Sequence, residues 1–119
     1  MSSTASTYPN LVITRFEEAS ISRPEPGLTR RILAYNDKLF VAEHRMKKGW
    51  QGVPHSHPHE QAAYVVSGRL SVTCGGRTFE IKTGDTFLVR GGVEHSATAL
   101  EDAVVVDVFT PCREDYIPS

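Results

Sequence analysis

From Leu28 onward, apolar and polar residues alternate in short runs closed by turn signals, the period-two pattern of half-buried β-strands. The runs are LTRRILAY (28–35), KLFVAEHRM (38–46), AAYVVS (62–67), RLSVTC (69–74), RTFEIK (77–82), TFLVR (86–90), HSATAL (95–100) and AVVVDVFT (103–110). Asn36-Asp37, Ser67-Gly68, Gly75-Gly76, Thr83-Gly84-Asp85 and Gly91-Gly92 separate them, each able to reverse the chain tightly. In 69–74, for example, Leu70, Val72 and Cys74 share one face and Arg69, Ser71 and Thr73 the other. No helical period and no repeat interrupts the series. Many short strands with glycine-rich turns predict an all-β sandwich or barrel, and small barrels enclose a ligand cavity.

The first 27 residues carry less pattern. MSSTASTYPN (1–10) reads as a loose arm, Leu11, Val12, Ile13 and Phe16 as a candidate edge strand, and RPEPG (23–27) as a turn or extended connector, because two prolines fix φ and remove donors. The chain therefore divides into an N-terminal arm (1–27) and a barrel with its C-terminal segment (28–119).

Composition narrows the function classes. A chain of 119 residues is expected to form one domain with a real core. A formal net charge of −1 supplies no basic field, so no nucleic-acid partner is expected. No apolar run has the length of a membrane span and no signal peptide is apparent, so a cytoplasmic location without a membrane partner is expected. Cys74 and Cys112 suggest reduced thiols rather than a disulfide framework.

The candidate chemistry is concentrated in GWQGVPHSHPHEQ (49–61), which holds three of the five histidines. In extended chain His55 and His57 point to the same side, and Gln61 shares their parity. Neutral imidazoles so placed suit a divalent transition metal, with His95 of GGVEHSA (91–97) as the ligand from another strand. An isolated HxH is more often a solvated coincidence, so the case depends on the wider spacing. His59, beside Pro58 and Glu60, is expected at the rim in a supporting or exposed role. His44, sharing parity with Ala42 and Met46, is expected in the pocket or the core.

The last strand carries the second set. Asp107 interrupts a run of valines, and a carboxylate there needs a partner or a task. Phe109 shares its face with Val105 and Ala103. Arg113 follows Pro111, which ends the strand and can turn the guanidinium toward the barrel mouth; a surface ion pair with Glu114 or Asp115 is the competing expectation.

The spacing resembles the cupin superfamily. Its first motif is a glycine, five residues, HxH, a glutamate and a further glycine, and it is matched by Gly49, His55, His57, Gln61 in the glutamate position, and Gly68. Its second is matched by Gly84, Arg90 in a proline position, Gly92, His95, and Ala99 in an asparagine position. The resemblance implies a single-domain jelly-roll β-barrel, one divalent transition metal (nickel, zinc, manganese, iron, cobalt or copper) on His55, His57, Gln61 and His95, and a homodimer. An amide in place of the carboxylate leaves a bound dication with its full charge, which favours Lewis-acid chemistry on an anionic substrate over dioxygen chemistry.

HSHPHEQ, EHSATALED (94–102) and DVFTP followed by Arg113 further resemble the pectin-degradation branch, with Cys112 standing where another proline is expected. That branch opens and ketonises cyclic 4,5-unsaturated monouronates from pectin or alginate breakdown. It implies Asp107, Phe109 and Arg113 as catalytic residues acting on a small anionic substrate. Another metal-dependent cupin enzyme, dioxygenase or lyase, and a non-catalytic small-molecule-binding cupin are the alternatives.

Overall fold

The computed structural model describes residues 7–118, so part of the expected N-terminal arm, residues 1–6, lies outside the described residues. Strands β1 (Ser20–Glu25), β2 (Leu28–Tyr35), β3 (Phe40–Met46), β4 (Glu60–Ser67), β5 (Arg69–Cys74), β6 (Arg77–Lys82), β7 (Thr86–Val89), β8 (His95–Ala99) and β9 (Ala103–Thr110) account for nearly all the regular structure. The only helical pieces among the described residues are single 3₁₀ turns at Phe16–Glu18 and Glu114–Tyr116. Every strand pairing is antiparallel, in a six-stranded sheet β1-β2-β3-β9-β4-β7 and a three-stranded sheet β6-β5-β8.

The second sheet is wider than its named strands. The loop before β4 runs beside β8, with Gly49 N–H donating to Ala99 O and Gly52 N–H to Ala97 O, both at 2.9 Å. Two antiparallel bridges, Gln51 with Thr98 and His55 with His95, complete that edge. The result is the jelly roll implied by the spaced glycines and histidines. Among the described residues no helix is long and apolar enough to cross a membrane.

Alternation decides what lies inside. In β9, Ala103, Val105, Asp107 and Phe109 are buried while Val104, Val106 and Val108 face outward. One apolar cluster joins the two sheets through Leu28, Met46, Ala63, Val65, Leu70, Val72, Ala99 and Val105. A second, of Ile32, Phe40, Ala42, Phe109 and Cys112, is closed by Tyr35, Tyr116 and Ile117. Burying an aromatic ring as completely as Phe40, at 0% exposure, contributes about 3 kcal/mol.

The N-terminal segment departs from expectation. The edge strand is Ser20–Glu25 rather than the Leu11–Phe16 region, and it runs through Pro24. A proline is tolerated because β1 pairs on one side only, with β2, and its register shifts between Ser22 and Glu25, the edge-and-bulge setting in which a missing N–H is harmless. Phe16 instead lies over the Arg31 guanidinium, 3.8 Å from ring centroid to Cζ.

Gly68 links β4 to β5 at φ +95°, and a Cβ there would stand 2.7 Å from Ala103 Cα. Gly84 has a similar φ of +89° with nothing within 4 Å of an added Cβ. Gly68→Ala should therefore cost about 3 kcal/mol or more and Gly84→Ala about 1 kcal/mol, read as shifts in the urea midpoint.

Candidate metal centre

Two backbone hydrogen bonds, His55 N–H to His95 O at 3.0 Å and His95 N–H to His55 O at 2.9 Å, set these residues directly opposite each other. Their side chains therefore leave the sheet on one side, with ring centroids 4.6 Å apart. His57, two residues on, returns to that side as expected of extended chain, its ring 5.5 Å from His55 and 5.0 Å from His95. Gly92 N–H donates to His57 O at 2.7 Å and ties the β7–β8 turn to the same loop. The ligating nitrogens of the three lie within 4.8 Å of one another, with His57 and His95 buried and His55 exposed.

The backbone also selects the tautomers. His55 Nδ1 faces Val53 O at 3.1 Å, His57 Nδ1 faces His59 O at 3.0 Å, and His95 Nδ1 faces Val93 O at 2.9 Å. A carbonyl only accepts, so each ring donates from Nδ1 and leaves its Nε2 lone pair free. Gln61 Oε1 stands 3.0 Å from His57 Nε2 and 3.2 Å from His95 Nε2. Acceptors that converge without a shared proton repel one another, and a cation among them resolves this. The donor set therefore fits a transition-metal ion.

Burial pushes the His57 pKa below the ordinary histidine value, with the Arg113 charge acting in the same direction. Burial likewise lowers His95, and neighbouring His55 adds to the effect. Both shifts favour the neutral, ligating form.

A cavity of about 270 Å³ opens beside the cluster, with His55 and His95 in its lining. Arg30, His44, Gln61, Asp107, Phe109 and Tyr116 line it, with Trp50 further along its wall. Asp107 is 5% exposed and carries two partners: Gln61 Nε2 donates to its Oδ1 at 2.8 Å, and His44 Nδ1 lies 2.6 Å from its Oδ2. Phe109 stands edge-on to His57 with centroids 5.7 Å apart.

A model of the cupin domain family matches residues 42–109. Pectin degradation protein KdgF of Dickeya dadantii is 34% identical over 93 residues, 76% of this chain and 84% of that protein. This chain is a cupin. Two solved structures agree with it over most of their length. An RmlC-like cupin from Shewanella frigidimarina is 32% identical with a TM-score of 0.84, covering 88% of this chain and 95% of that one. KdgF from Halomonas sp. is 33% identical with a TM-score of 0.83, covering 89% and 100%.

Of the two expectations for Arg113 the structure shows the ion pair, made with Asp115 and buried instead of on the surface, and Arg113 is not among the residues lining the cavity. The cupin chain turns at Pro111 and buries the residue to 5% exposure, yet its Nε and Nη2 donate to Asp115 at 3.0 and 2.8 Å. Its Nη1 is buried with no partner, and its Cζ stands 4.8 Å from the Phe109 centroid and 3.8 Å from that of Tyr116. His59 does not join the cluster: its Nε2 lies 3.2 Å from Cys112 O, which fastens the C-terminal segment. His44 is in the pocket. Arg30 and Tyr116 are site residues that the sequence did not single out. Only the parity of Arg30 with Leu28 and Ile32, both buried, signals an inward-facing cation.

His57→Ala should lower nickel(II) affinity by more than about 100-fold, measured by competition with a chromophoric chelator. The depressed values of His57 and His95 also bear on stability without metal. Below about pH 6.5 the unfolded chain takes up protons at these positions that the folded chain refuses, so stability falls as pH falls toward the folded values. Urea midpoints of metal-free protein should drop between pH 7.5 and 5.5, and less steeply in a His57→Gln/His95→Gln variant.

Proposed function

We propose that this cupin opens and ketonises cyclic 4,5-unsaturated monouronates, with one divalent transition metal held by His55, His57, Gln61 and His95. The observation that supports this most is a buried carboxylate, Asp107, lining the same cavity as His55 and His95 of the three-histidine cluster. Its likeness to two KdgF proteins, one of which carries the description pectin degradation protein, points to a uronate as the substrate. The two free cysteines, Cys74 and Cys112, suit the cytoplasm.

A metal bound there supplies a Lewis acid that polarises the oxygen it meets. The residues account for the rest. The unpartnered Nη1 of Arg113 offers a charge-assisted hydrogen bond to the substrate carboxylate. Phe109 packs on the sugar and keeps water from the reacting carbons. Asp107 takes the proton of the hemiacetal hydroxyl on C1 as the bond from C1 to the ring oxygen breaks, leaving an aldehyde and an enolate. The same carboxyl then gives that proton to C4 as the enolate becomes a ketone, so the reaction is a net isomerisation. No carboxylate belongs to the ligand set itself, which favours this polar chemistry over dioxygen activation.

The test follows the loss of absorbance of the conjugated double bond when metal-loaded protein meets freshly released 4,5-unsaturated galacturonate. Accelerated loss is expected. Asp107→Asn should reduce kcat by about 100-fold or more while metal stays bound, and full activity in that variant would remove the acid–base role. Oxygen uptake by the iron-loaded protein, with no effect on the uronate, would select the dioxygenase alternative.

A further inference from the structure

A chain of hydrogen bonds crosses four neighbouring strands of the six-stranded sheet and ends at the histidine cluster. Arg30 on β2 pairs in register with His44 on β3, and its Nε donates to His44 Nε2 at 3.0 Å. His44 Nδ1 lies 2.6 Å from Asp107 Oδ2 on β9, and Asp107 Oδ1 accepts from Gln61 Nε2 on β4 at 2.8 Å. Gln61 Oε1 then faces His57 and His95.

The direction of every bond in this chain follows from its first member. A guanidinium has donors only, so His44 Nε2 must accept and its proton must sit on Nδ1. That proton is donated to Asp107. The second carboxylate oxygen accepts from Gln61, whose NH₂ is thereby committed. The amide oxygen is left pointing at the imidazoles; turned the other way, it would face a carboxylate oxygen. Arg30 is itself held against the Tyr116 ring, 3.6 Å from the centroid, so the first donor is fixed by packing.

We infer that Arg30 and His44 are positioning residues that hold the Asp107 carboxylate in place and, through it, aim the Gln61 oxygen at the metal. The role deepens the proposed function and rests on its assignment of Asp107 and Gln61. Neither residue touches the substrate in this scheme. His44 does not take a proton from Asp107, because one ring nitrogen already carries a proton and the other is occupied by Arg30.

Two measurements on the full-length protein test this, and the first needs no activity. In metal-free protein labelled with ¹⁵N-histidine, long-range ¹H–¹⁵N spectra report the tautomer of each ring, and the His44 signals are those missing from His44→Asn. A protonated Nδ1 with an unprotonated Nε2 is expected, and Arg30→Met should lose that single form. A ring protonated on Nε2, or on both nitrogens, in the wild type would overturn the inference.

The second measurement is nickel(II) affinity by chelator competition, with thermal midpoints to establish that each variant folds. His44→Leu should bind at least about ten-fold more weakly. His44→Asn, whose Nδ2 can stand near the imidazole Nδ1 and donate to Asp107, should remain within about three-fold of wild type. Equal weakening in both, or none in His44→Leu, overturns the role. With metal saturating, kcat should follow the same order and KM should not. A wild-type protein that turns over no uronate would sink the proposed function alone, since the tautomer and the affinities still decide this inference.

Discussion

The two backbone hydrogen bonds between His55 and His95 are the constraint on which the site depends. They convert a loop rich in proline and histidine into an added strand of the smaller sheet, and they fix which way two imidazoles point. His57 then follows from the two-residue period of extended chain, and Gly92 anchors the turn that carries His95 back. Without that pairing the three rings would belong to a mobile loop and a separate strand. With it, three side chains meet with their protons already assigned to backbone carbonyls.

The second constraint is electrostatic. Buried Asp107 and Arg113 would each be costly alone, and the fold gives each a specific answer. Asp107 is met by His44 and Gln61, both on strands flanking β9. Arg113 is met by Asp115 and by two aromatic rings, with one amino group left over. The negative charge thus stands on the far side of Gln61 from the histidine cluster. Asp107 Oδ1 accepts from the Gln61 amide, while each imidazole of the cluster turns Nδ1 to a backbone carbonyl.

Much of this was legible in the sequence, for reasons that differ by residue. Strands β2 to β9 were visible because alternation is a local property and most of the runs end in a glycine- or asparagine-bearing turn. The buried face of β9, with Asp107 and Phe109, followed from the same parity. The edge strand was misplaced because an exposed β1 has no apolar face to announce it, and Leu11 and Ile13 looked more strand-like while being exposed themselves. The pairing of His44 with Asp107 spans 63 residues and depends on strand order β2-β3-β9-β4, which no local pattern encodes. Arg30 was hidden for the same reason. The ion pair of Arg113 with Asp115 is local, and proximity alone made it foreseeable.

One feature of the cavity bears on how such a protein can change. Leu28, Met46, Leu70, Val72 and Val105 line it, and the same five side chains belong to the cluster that joins the two sheets. The wall that a ligand would touch is therefore also the mortar between the layers. Carving room for a bulkier sugar removes contacts from the core, at about 2 kcal/mol or more for each large side chain shortened to alanine. Selectivity and durability are properties of the same atoms here, so a lineage that broadens its diet must first have stability to spare.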